Sequence, residues 1–217
     1  METVLAINDD LSGRSRPESG ICISGYTPEI LTRIYDAHIR LCIYKRAMSA
    51  DVKGYAVFLK NTLHNFQLTQ TVPLHKLTDL LCVSLPQHQF RQSFIRDVHT
   101  VAEMYACLFG LHQIGFRLCG LNKTMCPRFH TDKVPCRLIT TYSGEGTEWL
   151  DCMANTSDFL ETLNQKPENY HSVQRLSPGD IALLKGDKWE ENGDYGVIHR
   201  SPDVDGMRLL LSLDIAH

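Results

Sequence analysis

An α+β fold is predicted for this chain. Its first half is mostly helical, and its second half is a set of short strands forming an antiparallel sandwich or barrel, of which the jelly roll is one form. Three observations predict it. The stretch from Phe94 to Leu111 carries a helical stripe of Phe94, Val98, Val101, Tyr105 and Leu108, continued by His112. From about Gly115 onward the sequence changes to β-like runs cut by turn residues. At 217 residues the chain is long enough for one substantial core.

The elements follow in order. Residues 1–20 are polar, with Gly, Ser and Pro, and read as a loose arm. Pro28 to Tyr35 reads as a short helix, with Thr27 as N-cap and Pro28 in its first turn. Ile39, Leu41 and Ile43 alternate with Arg40, Cys42 and Tyr44, a strand pattern. Ser49 to Leu63 has helical spacing at Val52, Tyr55, Ala56, Leu59 and Leu63. Pro73 and Pro86 punctuate a segment with a short helix near Leu74 to Leu81. Gly110 and Gly115 mark the exit of the long helix. Strands are then expected at Phe116–Leu121, Met125–His130, Cys136–Tyr142, Thr147–Leu150, Ile181–Lys185, Gly196–His199 and Arg208–Ile215. Turns separate them at Ser143–Gly146, Ser177–Asp180 and Asp203–Gly206. Residues 151–176 form a longer connection with a helix at Ser157–Leu163. The chain has no internal repeat and no low-complexity segment.

Composition narrows the function classes. Hydrophobic residues make up 43% and charged residues 22%, an ordinary globular balance. The net charge of −3 calls for no nucleic-acid surface. There is no apolar run long enough for a membrane span, and the N-terminus lacks the pattern of a signal peptide. The eight cysteines include no Cys-x-x-Cys pair, so reduced, mostly buried thiols in a cytoplasmic protein are expected. A structural zinc site from Cys126, Cys136 or Cys152 has only weak support from spacing.

His130-Thr131-Asp132 is the first candidate for chemistry. Residues two apart in a strand share a face, so His130 and Asp132 would project together if the strand persists to Asp132. A transition metal needs a third ligand. His199, 199 − 130 = 69 residues downstream, follows the apolar run Gly196-Val197-Ile198, and a barrel can bring such distant strands side by side. Two histidines and one carboxylate with open positions form the arrangement of non-haem Fe(II) oxygenases. The same pattern also suits a hydrogen-bonded polar pair at a strand end.

Arg208 adds to this. In the run from Met207 to Ile215, period-two counting sets Met207, Leu209, Leu211, Leu213 and Ile215 on one face and Arg208, Leu210, Ser212 and Asp214 on the other. The apolar face is expected to pack on the N-terminal helices. An arginine within the sheet needs an anionic partner. That partner is either an acid such as Asp214 or the distal carboxylate of a dicarboxylate cosubstrate.

The order His130-x-Asp132, Tyr142, His199, Arg208 resembles the Fe(II)/2-oxoglutarate-dependent oxygenase superfamily over roughly residues 115–217. The resemblance implies a double-stranded β-helix (jelly roll) over 115–217, packed against a mostly helical region over 21–114. It further implies that His130, Asp132 and His199 hold Fe(II), and that Arg208, with Tyr142 as a further candidate, holds 2-oxoglutarate. At whole-chain level, Phe129 to Tyr142, Gly144 to Leu150, Pro178 to Gly186 and His199-Arg200-Ser201-Pro202 resemble the bacterial domain-of-unknown-function family 1826. That family has no settled activity. Its genes often lie near zinc-homeostasis genes, which implies a metal link but no reaction. A Zn(II)-binding protein on the same three ligands is therefore the alternative reading. The prime substrate, small molecule or protein, is not legible.

Other residues stay open or carry nothing. Parity sets Tyr142 opposite Arg137. Tyr142 is expected to face the cavity with Cys136, Leu138 and Thr140, or else to be a packed core ring. Trp149 and Trp189 fit core, rim or a substrate platform. Gly144 and Gly146 make a turn, since no Gly-Lys-Ser/Thr follows. Arg200 and Ser201 either support a ligand from behind or lie at the surface. The remaining histidines are assigned no chemistry, and no cysteine sits where a hydrolase nucleophile would.

Overall fold

The computed structural model describes residues 20–63, 66–152, 157–165, 173–190, 196–203 and 207–216. The arm expected over 1–20 lies outside these except for Gly20, as does most of the turn expected at 203–206. The chain enters in a sheet: β1 (Cys22–Gly25) pairs in parallel with β2 (Leu41–Tyr44). Between them Pro28–Tyr35 is helical, as the sequence predicts, but of the 3-10 kind, burying Leu31 and Ile34 three residues apart. Thr27 precedes it without a side-chain cap bond. Helix α1 (Ala50–Thr62) starts where Ser49 Oγ accepts the Val52 N–H at 3.3 Å, and it buries Val52, Tyr55, Ala56 and Leu59.

Strand β3 (Gln67–Pro73) is an addition to the sequence reading, because its run of Gln and Thr is largely exposed and shows little apolar alternation. After a 3-10 turn at Leu74–Lys76 come α2 (Leu77–Ser84) and α3 (Arg91–Phe109). Gly110 closes α3 at φ 63°, and its N–H bonds the carbonyls of Ala106 and Cys107. The rest is β4 (Gln113–Leu121), β5 (Cys136–Ser143), β6 (Glu148–Leu150), α4 (Ser157–Gln165), β7 (Val173–Arg175), β8 (Ile181–Lys185), β9 (His199–Arg200) and β10 (Arg208–Ile215).

Among the described residues these strands form a seven-stranded mixed sheet, β1-β2-β8-β5-β10-β4-β3, and a three-stranded sheet, β7-β6-β9. Thus the helical region expected over 21–114 also supplies three strands to the large sheet. Two of the expected strands are corrected. Residues 122–135 run as bends with one isolated bridge at His130, and Pro127 and Pro135 lack the N–H that a ladder needs. The strand expected from Gly196 shrinks to His199–Arg200, because the Val197 N–H goes to the Lys185 carbonyl at 2.9 Å.

The large sheet is covered on both faces. One face packs Leu138, Leu183, Leu209, Leu211 and Leu213 against Val52, Tyr55, Phe94 and Val98 of the helices. Full burial of each such leucine stabilises the fold by about 1.5–3 kcal/mol. The other face packs Leu41, Ile43, Ile139, Ala182 and Leu184 against Trp149, Leu176 and Val197 at the small sheet. Period-two alternation then sends Arg208, Leu210, Ser212 and Asp214 of β10 into the space between the sheets. Near Arg208 the β5–β10 register shifts by one residue, between Leu209 and Leu210. There Gly144 adopts φ 88°, and a Cβ on it would sit 3.0 Å from the Arg208 Cα, so the close approach and the positive φ both require glycine.

Candidate functional site

His130 and His199 are placed by one bridge. Each backbone N–H donates to the other's carbonyl, at 3.0 and 2.9 Å, and the ring centroids lie 4.6 Å apart. Asp132 sits past the bridge, in a loop and not in the strand that the sequence suggests. A turn holds it: the Asp187 N–H donates to the Asp132 carbonyl at 2.9 Å, and the Thr131 hydroxyl donates to Asp187 Oδ2 at 2.8 Å. Gly186 is required beside it, since a Cβ would lie 2.5 Å from the Asp132 carbonyl oxygen.

One ligand atom from each of His130, Asp132 and His199 lies within 4.8 Å of the others. Asp132 Oδ2 is 3.4 Å from His199 Nε2, and Asp132 Oδ1 is 3.9 Å from His130 Nε2. Both imidazoles are set the same way. His130 Nδ1 lies 2.9 Å from the Arg128 carbonyl, and His199 Nδ1 lies 2.9 Å from the Val197 carbonyl. A carbonyl only accepts, so Nδ1 of each ring carries a hydrogen, and Nε2 is the nitrogen turned toward Asp132, where the neutral ring offers its lone pair. Burial pushes the His199 pKa below its ordinary value against the pull of Asp132, which favours that neutral form.

Arg137 anchors the carboxylate. Its Nη1 donates to Asp132 Oδ1 at 2.8 Å, while its Nε and Nη2 hold Asp214 at 2.7 and 2.9 Å. Asp132 Oδ2 is left buried with no hydrogen-bond donor among the described residues. Two imidazole Nε2 atoms beside a carboxylate with one oxygen lacking a donor fit a divalent cation, and the donor set suits Fe(II) or Zn(II). Arg137 was not among the candidate residues. Its position opposite Tyr142 in strand parity was the signal that could have found it.

A cavity of about 60 Å³ adjoins this cluster, lined by His130, His199, Arg137, Arg117, Arg200 and Arg208 among others. Arg208 is 1% exposed. Its Nη2 donates to the hydroxyls of Thr141 and Thr147 at 3.1 and 2.7 Å, and its Nε has no acceptor among the described residues. Asp214 is bound to Arg137 and does not serve as the acid partner the sequence offered for Arg208. Burial lowers the Arg208 pKa to about 10. The arrangement can accept an anion inside the fold. Arg200 reaches the same cavity, pairs with Glu148 at 2.7 Å, and stacks over Phe129 with 4.3 Å to the ring centroid.

Tyr142 is the packed core ring of the two alternatives and not the cavity-facing cosubstrate residue. It points to the helical side of the sheet, where its hydroxyl donates to Asp97 Oδ2 at 2.7 Å and its ring packs on Phe94. Cys136 and Leu138 share its face, as parity requires, but that face is the helical core, and Arg137, Ile139 and Thr141 look into the cavity. Cys136 is buried in the same helical core whereas Cys126 lines the cavity, so the two share no metal site. All eight cysteines are free. Trp149 is core between the sheets, and Trp189 packs beneath Lys185 Nζ, 4.7 Å from its ring centroid.

No helix among the described residues is long and apolar enough to cross a membrane. No curated protein matches the chain. Solved structures resemble it in fold. The dioxygenase for auxin oxidation from rice aligns at TM-score 0.53 and 16% identity, covering 89% of this chain and 81% of that one. HygX from Streptomyces hygroscopicus, with nickel and 2-oxoglutarate bound, aligns at 0.47 and 12%, covering 87% and 86%. A prolyl-4-hydroxylase from Pseudomonas putida aligns at 0.45 and 10%, covering 86% and 96%. A family model described as a protein of unknown function, DUF1826, matches residues 25–214.

Proposed function

We propose, for a chain that belongs to the DUF1826 family of proteins of unknown function, that it is a non-haem Fe(II)- and 2-oxoglutarate-dependent oxygenase on a double-stranded β-helix. The topology supports that fold. The bridge at His130 adds a fourth position beside β9 to the small sheet, opposite the four central strands β8, β5, β10 and β4 of the large one. The fold shared with the rice dioxygenase agrees with it.

One observation carries the function. A buried arginine with no acidic partner among the described residues shares a cavity with a cluster of two histidines and an aspartate. Burying an unneutralised guanidinium costs several kcal/mol unless an anion joins it. In this reading His130, Asp132 and His199 hold the iron, and Arg208, with Thr141 and Thr147 behind it, takes the distal carboxylate of 2-oxoglutarate. Iron and 2-oxoglutarate together supply an oxidant made from dioxygen that oxidises a C–H bond, with loss of carbon dioxide from the cosubstrate. The residues of the chain bind and orient. The Arg128 and Val197 carbonyls hold Nε2 of each imidazole inward, and Arg137 fixes the Asp132 carboxylate. The apolar wall of Ile139 and Leu210 keeps water from the buried charge.

Calorimetry of 2-oxoglutarate against anaerobic, Fe(II)-loaded protein tests the reading. Saturable binding that Arg208→Met removes is expected. Iron-loaded protein that takes up no 2-oxoglutarate sinks it. Protein that retains Zn(II) against excess Fe(II) and binds no cosubstrate favours the zinc-binding alternative.

A further inference from the structure

The cavity holds a second cation that the cosubstrate does not use. Four arginines line it: Arg117, Arg137, Arg200 and Arg208. Arg137 is neutralised by Asp132 and Asp214, and Arg200 by Glu148. Arg208 is taken by the 2-oxoglutarate reading. Arg117, on β4, is half-buried, is in no ion pair among the described residues, and has its Nε buried without an acceptor.

Position separates Arg117 from Arg208. In the β4–β10 pairing Arg117 stands opposite Ser212, while Arg208 stands opposite Leu121. They are four strand positions apart, roughly 13 Å along the strand. Register also sets Arg117 toward the Arg137 end of β10, for the next inward-facing residue after Ser212 is Asp214, bound to the Arg137 that holds Asp132. The cavity therefore offers two anion sites, one at its Arg208 end and one beside the metal ligands.

We propose that Arg117 binds a carboxylate of the prime substrate, so that the substrate is a small molecule with a negatively charged head. This rests on the oxygenase reading above. One guanidinium with the Ser212 hydroxyl across from it matches the single charge and two oxygens of a carboxylate. A phosphoryl dianion would call for a second free cation, and Arg208 and Arg200 are engaged. Anchoring the head at Arg117 places the body of the substrate next to the triad, and uncharged analogues of equal shape leave the guanidinium unpaired.

The full chain, loaded with Mn(II) and 2-oxoglutarate, is titrated by calorimetry with benzoate, benzamide and phenyl phosphate. Benzoate is expected to bind at least about tenfold tighter than either of the others. In Arg117→Gln that preference should fall to within about twofold, with 2-oxoglutarate affinity unchanged, and Arg117→Lys should restore part of it. Equal affinity of the wild type for benzoate and benzamide overturns the proposal. So does a carboxylate preference that survives Arg117→Gln, a preference for phenyl phosphate, or a loss of 2-oxoglutarate affinity in Arg117→Gln. Should that variant not fold, the wild-type preference and Arg117→Lys still decide. Failure of the oxygenase reading is separate: wild type that takes up no Mn(II) or 2-oxoglutarate is titrated unloaded, where Arg117 must still confer the preference for charge.

Discussion

Arg137 spans two aspartates, giving one fork to Asp214 on the neighbouring strand and its other nitrogen to Asp132 in the loop. The position of a loop carboxylate is thereby set by a sheet. The turn to Asp187 holds only the Asp132 backbone, and the carboxylate, two positions past the bridged His130, has its hydrogen bond from Arg137.

Metal content should divide these residues into ligands and supports. Asp132→Ala and His199→Ala are expected to lose bound metal by mass spectrometry, with affinity down by more than about a hundredfold. Arg137→Met keeps all three ligands and should cost about 10–100-fold. Undiminished metal in His199→Ala would show that the cluster binds none.

Arg208→Met should separate stability from function. It removes a buried charge that has only hydroxyl partners, so the unliganded protein gains about 1–3 kcal/mol in denaturant unfolding. It should also abolish the binding of 2-oxoglutarate. The alkaline limb gives a second sign. The Arg208 pKa falls on folding to about 10. The unfolded chain therefore holds the extra proton above that pH, and this group's penalty shrinks as pH rises from about 10 toward the ordinary arginine range. A variant less stable than wild type at neutral pH would contradict the unpaired state of the guanidinium.

Tyr142→Phe tests the corrected placement. The hydroxyl bonds an aspartate that Arg46 also holds at 2.5 and 2.9 Å, so its loss should destabilise the fold by about 1.5–3 kcal/mol. Affinity for 2-oxoglutarate should not change. A weakened affinity at unchanged stability would return Tyr142 to the cavity.

Acid should loosen the small sheet through Glu148. Burial raises its pKa, but hydrogen bonds from Arg175 and Arg200 outweigh that and hold it below the ordinary 4.5. The folded value is depressed, so the stabilisation is complete above the unfolded pKa and is lost as pH falls through the folded one. Glu148→Gln should flatten this part of the acid-unfolding curve, read by circular dichroism.

Much of this was legible in the sequence where one periodicity dominates. The stripe of α3 and the alternation of β10 gave both elements and their buried faces, because each packs a single apolar row. The spacing of Val52, Tyr55, Ala56 and Leu59 marked α1 in the same way. Strand β3 escaped because it lies at a sheet edge with exposed Gln and Thr, and an edge leaves little apolar signal. Tyr142 was left between cavity and core because both faces of the large sheet are covered. Parity groups it with Cys136 and Leu138 but does not say which cover is helical and which is the cavity. The three clustered residues were legible as residue types with spacing, whereas the loop that carries Asp132 was not. Its geometry depends on contacts with Asp187 and Arg137, distant in sequence.

The first half of the chain flanks the second on both sides. Strands β1 and β2 lie beyond β8, and β3 lies beyond β4. A fragment of residues 115–217 would keep every proposed ligand yet bare two raw sheet margins and the leucine row of β10, an invitation to edge-to-edge association. The proposed site is consequently not a portable cassette, and shuffling or grafting that half alone is expected to yield aggregate instead of a folded unit.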